Sequence, residues 1–179
     1  MMKYKLLIII MIVIGVIIYK NENKDMKKIE VGDPIPNITL KNENGVEVNI
    51  NNIKKPLIIY FYPKDETPGC IKEACKFRDE FQSFVDLGVQ VFGISGDSSA
   101  SHKNFKEKYH LPFTLLADTN NEVRKEFGVP KSLLFLPGRV TYVVNEKGIV
   151  TYMFNSQFGA EKHIENALKF LRKNKTAIK

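Results

Sequence analysis

The stretch YFYPKDETPGCIKEAC, Tyr60 to Cys75, holds both cysteines of a 179-residue chain. Just before them, PLIIYFYP, Pro56 to Pro63, is rich in β-branched and aromatic residues and is bracketed by prolines, which is typical of a buried central strand. From Cys70 onward, apolar residues recur at helical spacing until Gly88. The stretch therefore predicts a strand-to-helix junction with a cysteine in the first turn of the helix.

The tetrapeptide Thr67-Pro68-Gly69-Cys70 has the composition of a helix start. Threonine is favoured as N-cap and proline at the first helical position. If Thr67 caps the helix, Cys70 is the third helical residue, where the positive end of the helix dipole favours a thiolate. Because the thiolate is the nucleophile, the motif indicates an activated cysteine. The alternative is that Cys70 only packs in the core.

Cys75 lies five positions beyond Cys70, a poor spacing for a permanent disulfide. On a regular helix their Cα atoms are about 8–9 Å apart, beyond the roughly 7 Å that a disulfide tolerates. A bond between them requires the first turns to unwind, which suits a transient, catalytic disulfide better than a structural one. A metal site is disfavoured, because two thiolates need two more ligands and no histidine lies at zinc-type spacing (His102, His110 and His163).

The rest of the chain alternates between predicted strands and helices. Residues 38–50 predict a hairpin around Asn44-Gly45. Further strands are predicted at VQVFGIS, at FTLLAD and on both sides of residues 145–148, and helices at about 101–109, 123–127 and 164–171. This order predicts an α/β fold with a central mixed sheet and helices on both faces, compatible with a thioredoxin-like architecture.

At this point the residues resemble a known family. PKDETPGC, Pro63 to Cys70, resembles the P-x-x-x-T-x-x-C signature of peroxiredoxins. CIKEACKFRD, with its second cysteine five residues on, resembles the peroxiredoxin Q branch, also called bacterioferritin comigratory protein. The similarity continues through GISGDSSASHKNF, LPFTLLAD and LPGRVTYVVNEKG, and YMFNSQFGAEKHIENALKFL is similar to the tail of plant and cyanobacterial forms. It covers residues 31–172.

The resemblance implies a thiol peroxidase of thioredoxin-like fold that uses no cofactor and no metal. Cys70 corresponds to the peroxidatic cysteine, which attacks hydrogen peroxide or an alkyl hydroperoxide and becomes a sulfenic acid. Cys75 corresponds to the resolving cysteine, and the resulting Cys70–Cys75 disulfide is reduced by thioredoxin or a similar dithiol. Thr67 matches the threonine that orients thiolate and peroxide. Arg139 matches the arginine that stabilises them, and Pro63 the proline that shields the cysteine from water.

Outside this resemblance, the charged residues nearby predict only surface positions. Arg139 alone would be interpreted as an exposed charge at a strand end. Lys64, Asp65 and Glu66 predict a solvated charge run, and His163 a surface position on the last helix. A monomer is expected, because both redox partners lie in one helix.

An apolar run at the start of the chain predicts a membrane anchor or a signal segment. LLIIIMIVIGVIIY, Leu6 to Tyr19, is flanked by lysines. As a helix it spans roughly 21 Å, short of the ~30 Å hydrocarbon core, but flanking lysines extend the reach. We expect residues 1–20 to anchor the chain in a membrane, on an undetermined side, residues 21–30 to form a polar linker and residues 31–179 the peroxiredoxin domain. A signal segment cleaved on export and a buried core helix are the alternatives.

The net charge of +7 does not predict a nucleic-acid partner. Residues 1–28 hold six lysines and two acidic residues, so four of the seven net positive charges lie there. The remainder shows no basic stripe with interleaved aromatic residues. Two rival functions are a membrane-tethered thiol–disulfide oxidoreductase, disfavoured because C-x-x-C is absent, and a peroxide sensor whose disulfide alters a binding surface.

Overall fold

The computed structural model describes residues 28–132, 136–176 and 178. Strands β1 (Thr39–Asn42) and β2 (Glu47–Asn49) form the predicted hairpin, in which Gly45 has φ 76°. The central strand is β3 (Leu57–Phe61), and helix α1 (Pro68–Asp79) follows it. The other elements are α2 (Phe81–Asp86), β4 (Gln90–Ser95), α3 (Ser99–Tyr109), β5 (Thr114–Ala117), α4 (Glu122–Glu126), β6 (Lys131–Ser132), β7 (Leu136–Pro137), β8 (Val140–Val144), β9 (Val150–Asn155) and α5 (Ala160–Lys173).

Seven of the described strands form one mixed sheet in the order β2-β1-β5-β4-β3-β8-β9. Strands β3, β4 and β5 run parallel, whereas β1 pairs antiparallel with β5 and β8 antiparallel with β3. Helices α1, α2, α3 and α5 contribute to the core on one face, and α4 to the core on the other. The structure therefore confirms the predicted α/β fold with a central mixed sheet and helices on both faces.

Strand β3 is buried on both sides, because its side chains alternate between the two cores. Ile58 and Tyr60, with Tyr62 just after the strand, belong to the core beneath α1, and Ile59 and Phe61 to the opposite one. Each large apolar side chain buried in this way contributes roughly 2 kcal/mol. The uninterrupted apolar run in the sequence is the direct consequence of this two-sided burial.

A glycine on β4 makes room for the aromatic stack that holds α1 on the sheet. A Cβ at Gly93 would lie 2.6 Å from the ring of Tyr60. With the glycine, that ring stacks on Phe77 of α1 at a centroid distance of 4.5 Å. Phe77 lies two turns after Cys70 on the same helix, so the stack helps to fix the first turn of α1 against the end of β3.

The structure differs from the predicted elements in two places. The helical pattern from Cys70 to Gly88 is divided at Glu80, which has φ −95° and ψ 7°, into α1 and α2. Phe84 of α2 remains buried beside Phe77 across this break, so both helices place apolar residues in the same core. The two-residue ladder between β6 and β7 was not predicted, because no local pattern indicates it.

The predicted membrane-spanning helix is corrected. Over residues 28–132, 136–176 and 178, no helix is both long enough and apolar enough to cross a membrane. The segment on which that prediction rested, residues 6–19, lies outside the described residues.

Candidate active site

The loop after β3 places Cys70 in the first turn of α1. Thr67 is the N-cap by its extended backbone (φ −83°, ψ 143°), and Pro68 occupies the first helical position. The Thr67 hydroxyl donates to the carbonyl of Lys64 at 3.0 Å rather than capping the helix. Cys70 is thus the third helical residue and is only 1% exposed. The first-turn amides of a helix lack helical acceptors, so they present partial positive charge beside this thiol.

A buried guanidinium contacts the thiol. Arg139 directly precedes β8 and is 3% exposed. Its Nη2 donates to Cys70 Sγ at 3.4 Å, and its Nη1 donates to Glu73 Oε2. A Cβ at Gly69 would lie 3.2 Å from Nη2, so the glycine before Cys70 leaves space for the arginine. The sequence places Cys70 and Arg139 far apart, and the fold brings them together.

Burial changes the ionisation of the carboxyl that shares this arginine. Burial raises the pKa of Glu73 to about 8, against the opposing charge and hydrogen bond of Arg139. Burial alone would lower the pKa of Arg139, but the charges of Glu73 and Cys70 raise it overall. At neutral pH Glu73 is therefore mostly protonated and Arg139 is charged, which leaves the positive charge of the guanidinium to the sulfur.

A buried histidine lies behind Glu73. His163 of α5 is fully buried, with Nδ1 2.8 Å from Thr141 Oγ1 and Nε2 2.9 Å from the carbonyl of Ser156. A carbonyl only accepts, so Nε2 carries the proton and Nδ1 accepts from the threonine hydroxyl. Burial lowers the pKa of His163 to about 4, despite the hydrogen bond to Ser156, and the charge of Arg139 lowers it further. The predicted surface position of His163 is therefore wrong.

The loop that precedes Thr67 is held from within by Asp65. This carboxylate is 4% exposed and accepts from the hydroxyls of Tyr62 (2.7 Å) and Ser101 (2.8 Å). Its Oδ2 lies 2.9 Å from Nδ1 of the buried His102. Burial raises the pKa of Asp65, but the hydrogen bond and charge of His102 outweigh that effect and lower it overall. The predicted solvated charge run is thus wrong at Asp65, which anchors the loop to α3.

The second cysteine is half-buried and separate from the first. Cys70 and Cys75 are both free thiols, on one continuous helix. Pro63 is half-buried two residues after the end of β3.

Among the described residues, no group of three or more histidine, cysteine, aspartate or glutamate side chains is placed to hold a metal ion.

Comparison with known proteins assigns the family. Residues 31–153 match the model of the AhpC/TSA family. The chloroplastic peroxiredoxin Q of Oryza sativa subsp. japonica is 53% identical over 147 residues, covering 81% of this chain and 68% of the relative. The chain is a peroxiredoxin of the Q group. The chloroplastic peroxiredoxin Q of Sedum lineare is 52% identical to this peroxiredoxin over 153 residues, covering 84% of this chain and 82% of the relative.

Solved structures agree with this assignment. The peroxidoxin BcpB of Mycobacterium tuberculosis has a TM-score of 0.75 at 31% identity, covering 81% of this peroxiredoxin and 97% of that chain. Peroxiredoxin Q of Xanthomonas campestris has a TM-score of 0.74 at 26% identity, covering 83% and 98%. The predicted thioredoxin-like fold and the predicted enzyme class are both confirmed. This peroxiredoxin is a thiol peroxidase, with a peroxide as substrate and a thiol as reductant.

Two buried charged residues of this site, Glu73 and Arg124, were not predicted from the sequence. Glu73 carries a signal that could have revealed it, because it lies three residues after Cys70 and four before Phe77, on the apolar face of α1. Arg124 likewise lies beside Val123 and three residues before Phe127, both buried. A charged residue on the apolar face of a helix predicts a buried partner for that charge.

Proposed function

We propose that this peroxiredoxin reduces hydroperoxides at Cys70. The contact that carries the proposal is Arg139 Nη2 to Cys70 Sγ, at 3.4 Å in a buried first turn. The Cys70 thiolate attacks one peroxide oxygen, so that an S–O bond forms and the O–O bond breaks. The leaving oxygen departs with the electron pair and takes up a proton as water or alcohol, and Cys70 becomes a sulfenic acid.

The charges around Cys70 suit this step. Breaking the O–O bond moves negative charge from sulfur to the leaving oxygen, and fixed donors nearby stabilise that charge. Arg139 stays charged, and the protonated Glu73 does not compete for it at neutral pH. In the same proposal Thr67 orients the peroxide and Pro63 shields the sulfur from water, as the family motif implies.

Recycling involves Cys75. Its thiol attacks the Cys70 sulfenic acid, the Cys70–Cys75 disulfide forms and water leaves. Because both cysteines lie on one helix, the first turns of α1 must unwind for the sulfurs to meet. Thioredoxin or a similar dithiol then supplies two electrons by disulfide exchange. The Xanthomonas campestris bacterioferritin comigratory protein, 26% identical, has alkyl peroxide reduction activity, which supports an alkyl hydroperoxide as a further substrate.

Steady consumption of NADPH with thioredoxin, thioredoxin reductase and peroxide tests the proposal on the full chain. We expect Cys70→Ser to abolish peroxide consumption. Cys75→Ser is expected to keep one stoichiometric oxidation of Cys70 but to lose thioredoxin-supported turnover. Equal and complete loss in both variants would contradict this division of roles. A wild-type protein that stops after one equivalent of peroxide would be a sensor rather than a peroxidase.

We infer that residues 31–179 form the peroxidase domain, residues 21–30 a linker and residues 1–20 a segment removed after targeting. The apolar run from Leu6 to Tyr19 with flanking lysines has the length of a signal-peptide core. The peroxiredoxin Q proteins of Oryza sativa and Sedum lineare are chloroplastic, which supports a targeting segment here. Intact-mass measurement of the protein from its native cells tests the inference, and a mature chain that still begins at Met1 would overturn it.

A further inference from the structure

Arg124 connects the two backbone segments that carry the proposed site. It lies on the short helix α4 and is 7% exposed. Its Nη2 donates to the carbonyl of Tyr62 at 2.6 Å, and its Nη1 to the carbonyl of Gly138 at 2.8 Å. Tyr62 directly precedes Pro63, and Gly138 directly precedes Arg139. One guanidinium therefore holds the residue before the Pro63–Thr67 loop and the residue before Arg139, which contacts Cys70.

The hydrogen bonds from Arg124 to Tyr62 and Gly138 lie beyond the last pair of the ladder between β3 and β8. The antiparallel ladder between β3 and β8 ends at the pair Phe61–Val140. Beyond it, the Tyr62 amide donates to Ile94 of β4, on the other side of β3. The Tyr62 and Gly138 carbonyls both accept from Arg124, so this side chain continues the connection past the end of the ladder.

Arg124 is itself fixed in place. Asp118 accepts hydrogen bonds from the backbone amides of Val123 and Arg124, at 3.2 and 2.8 Å. The guanidinium carbon lies 5.4 Å from the centre of the Phe61 ring. Burial lowers the pKa of Arg124 to about 10, against the opposing charges of Asp118 and Cys70, so the side chain stays charged at neutral pH.

We propose that Arg124 is a positioning residue of the peroxidase site, fixing the Pro63–Thr67 loop relative to Arg139. The inference rests on the proposed roles of Cys70 and Arg139. A planar guanidinium directs two donors at two fixed acceptors, which a lysine ammonium cannot reproduce. Displacing a reacting group by about 1 Å can cost roughly 100-fold in rate.

Single-turnover kinetics on the reduced full chain test this role. Arg124→Lys keeps the charge, Arg124→Met removes it at similar length, and Lys125→Gln is the matched control at the exposed neighbouring position. For each protein, one measures the rate constants of Cys70 with hydrogen peroxide and with iodoacetamide, together with the thermal unfolding curve. Iodoacetamide reports the thiolate without needing the arranged peroxide site.

We expect both Arg124 variants to react with peroxide about 10- to 100-fold more slowly. Arg124→Lys should alkylate within about twofold of wild type, since its charge is kept, and Lys125→Gln should match wild type in both reactions. Full peroxide reactivity in Arg124→Lys, equal losses in both reactions for that variant, or failure of both variants to fold would overturn the inference. Absence of peroxide reaction in the wild type would instead overturn the proposed role of Cys70.

Discussion

Arg139 donates to both Cys70 Sγ and the Glu73 carboxyl, and burial of Glu73 determines whether that carboxyl neutralises the guanidinium. Exposed to water, Glu73 would be ionised at neutral pH and would compete with Cys70 Sγ for the guanidinium. Fully buried, the carboxyl has its pKa raised to about 8 and is mostly neutral. The same carboxyl still accepts from Arg139 and fixes its orientation. Glu73 thus aims the guanidinium at Cys70 without neutralising it.

The first prediction concerns Arg139→Lys. The lysine ammonium cannot reach Cys70 and Glu73 together in the fixed plane of a guanidinium, so we expect the peroxide rate constant to fall by about 100-fold. Stopped-flow measurement of Cys70 oxidation checks this. Arg172→Lys, at an exposed position on α5, is the matched control. Similar rate constants for all three proteins would show that the Arg139 contact does not contribute to the reaction.

The second prediction concerns pH and stability. Folded Glu73 keeps a proton up to about pH 8, whereas its ordinary pKa is 4.5. The folded state binds more protons than the unfolded state between these values, so this contribution to stability is fully present below pH 4.5 and is lost as pH rises through 8. His163 acts in the opposite sense, because its pKa falls from 6.5 to about 4 and its contribution is lost as pH falls below 6.5.

The window above pH 6.5 therefore isolates Glu73 from His163. In a Cys70→Ser background, where no thiol at this position titrates, we expect the free energy of unfolding to decline by about 2 kcal/mol between about pH 6.5 and 8.5. Replacing Glu73 with glutamine in that background should remove most of the decline. Urea unfolding at several pH values measures it, and parallel curves for the two proteins would show that Glu73 ionises normally.

At the scale of elements, the two proposed steps require different conformations of α1. Its intact first turn holds Cys70 beside Arg139, whereas bonding to Cys75 requires that turn to open. The anchors of the surroundings do not depend on this turn: Asp65 ties the preceding loop to α3, and Phe77 stacks on Tyr60 further along the helix. Opening can thus stay confined to the first turns of α1.

Hydrogen exchange gives the third prediction. In the oxidised protein the amides of residues 71–75 should exchange at least about tenfold faster than in the reduced protein, because the disulfide prevents the helix from re-forming. The amides of α5 should not change. Cys75→Ser treated with one equivalent of peroxide should keep its protection. Equal protection in oxidised and reduced wild type would contradict unwinding as the resolving step.

At the scale of the whole molecule, the two cysteines with the proposed redox roles lie on one helix of one chain, so we propose that a monomer completes the catalytic cycle. The fourth prediction is that sedimentation equilibrium gives the mass of a single chain in both reduced and oxidised protein. Peroxide turnover per chain should be independent of protein concentration. A rate per chain that falls on dilution would show that a second copy contributes to the site.

Much of this fold was predictable, because strands buried on both faces and amphipathic helices leave local patterns. The β3 run, the hairpin at Asn44-Gly45 and the helix start at Thr67-Pro68 were each visible within ten residues. The positions of Cys70 and Cys75 on the first helix after β3 followed from the same patterns.

The charged interior of the site was not predictable in this way. Asp65 and His163 look like surface residues because their partners are distant in sequence: Ser101 and His102 for the first, Thr141 and Ser156 for the second. A local pattern shows the polarity of a side chain but not the element that will cover it. Burial of a paired charge depends on that covering element, so only the assembled fold reveals it.

Glu66 joins the Asp65 anchor to the helix start, and its backbone has φ 59°, a left-handed geometry that costs a residue with a Cβ about 1–2 kcal/mol. Contacts from Lys108 (2.7 Å) and Tyr109 (3.1 Å) of α3 to its carboxylate hold it there. The backbone of the reduced protein is therefore strained at Glu66, one residue before Thr67. Because Lys108 and Tyr109 hold Glu66 to α3 independently of α1, the loop before Thr67 keeps its geometry while the neighbouring helix turn opens, and the turn can re-form from the same starting position.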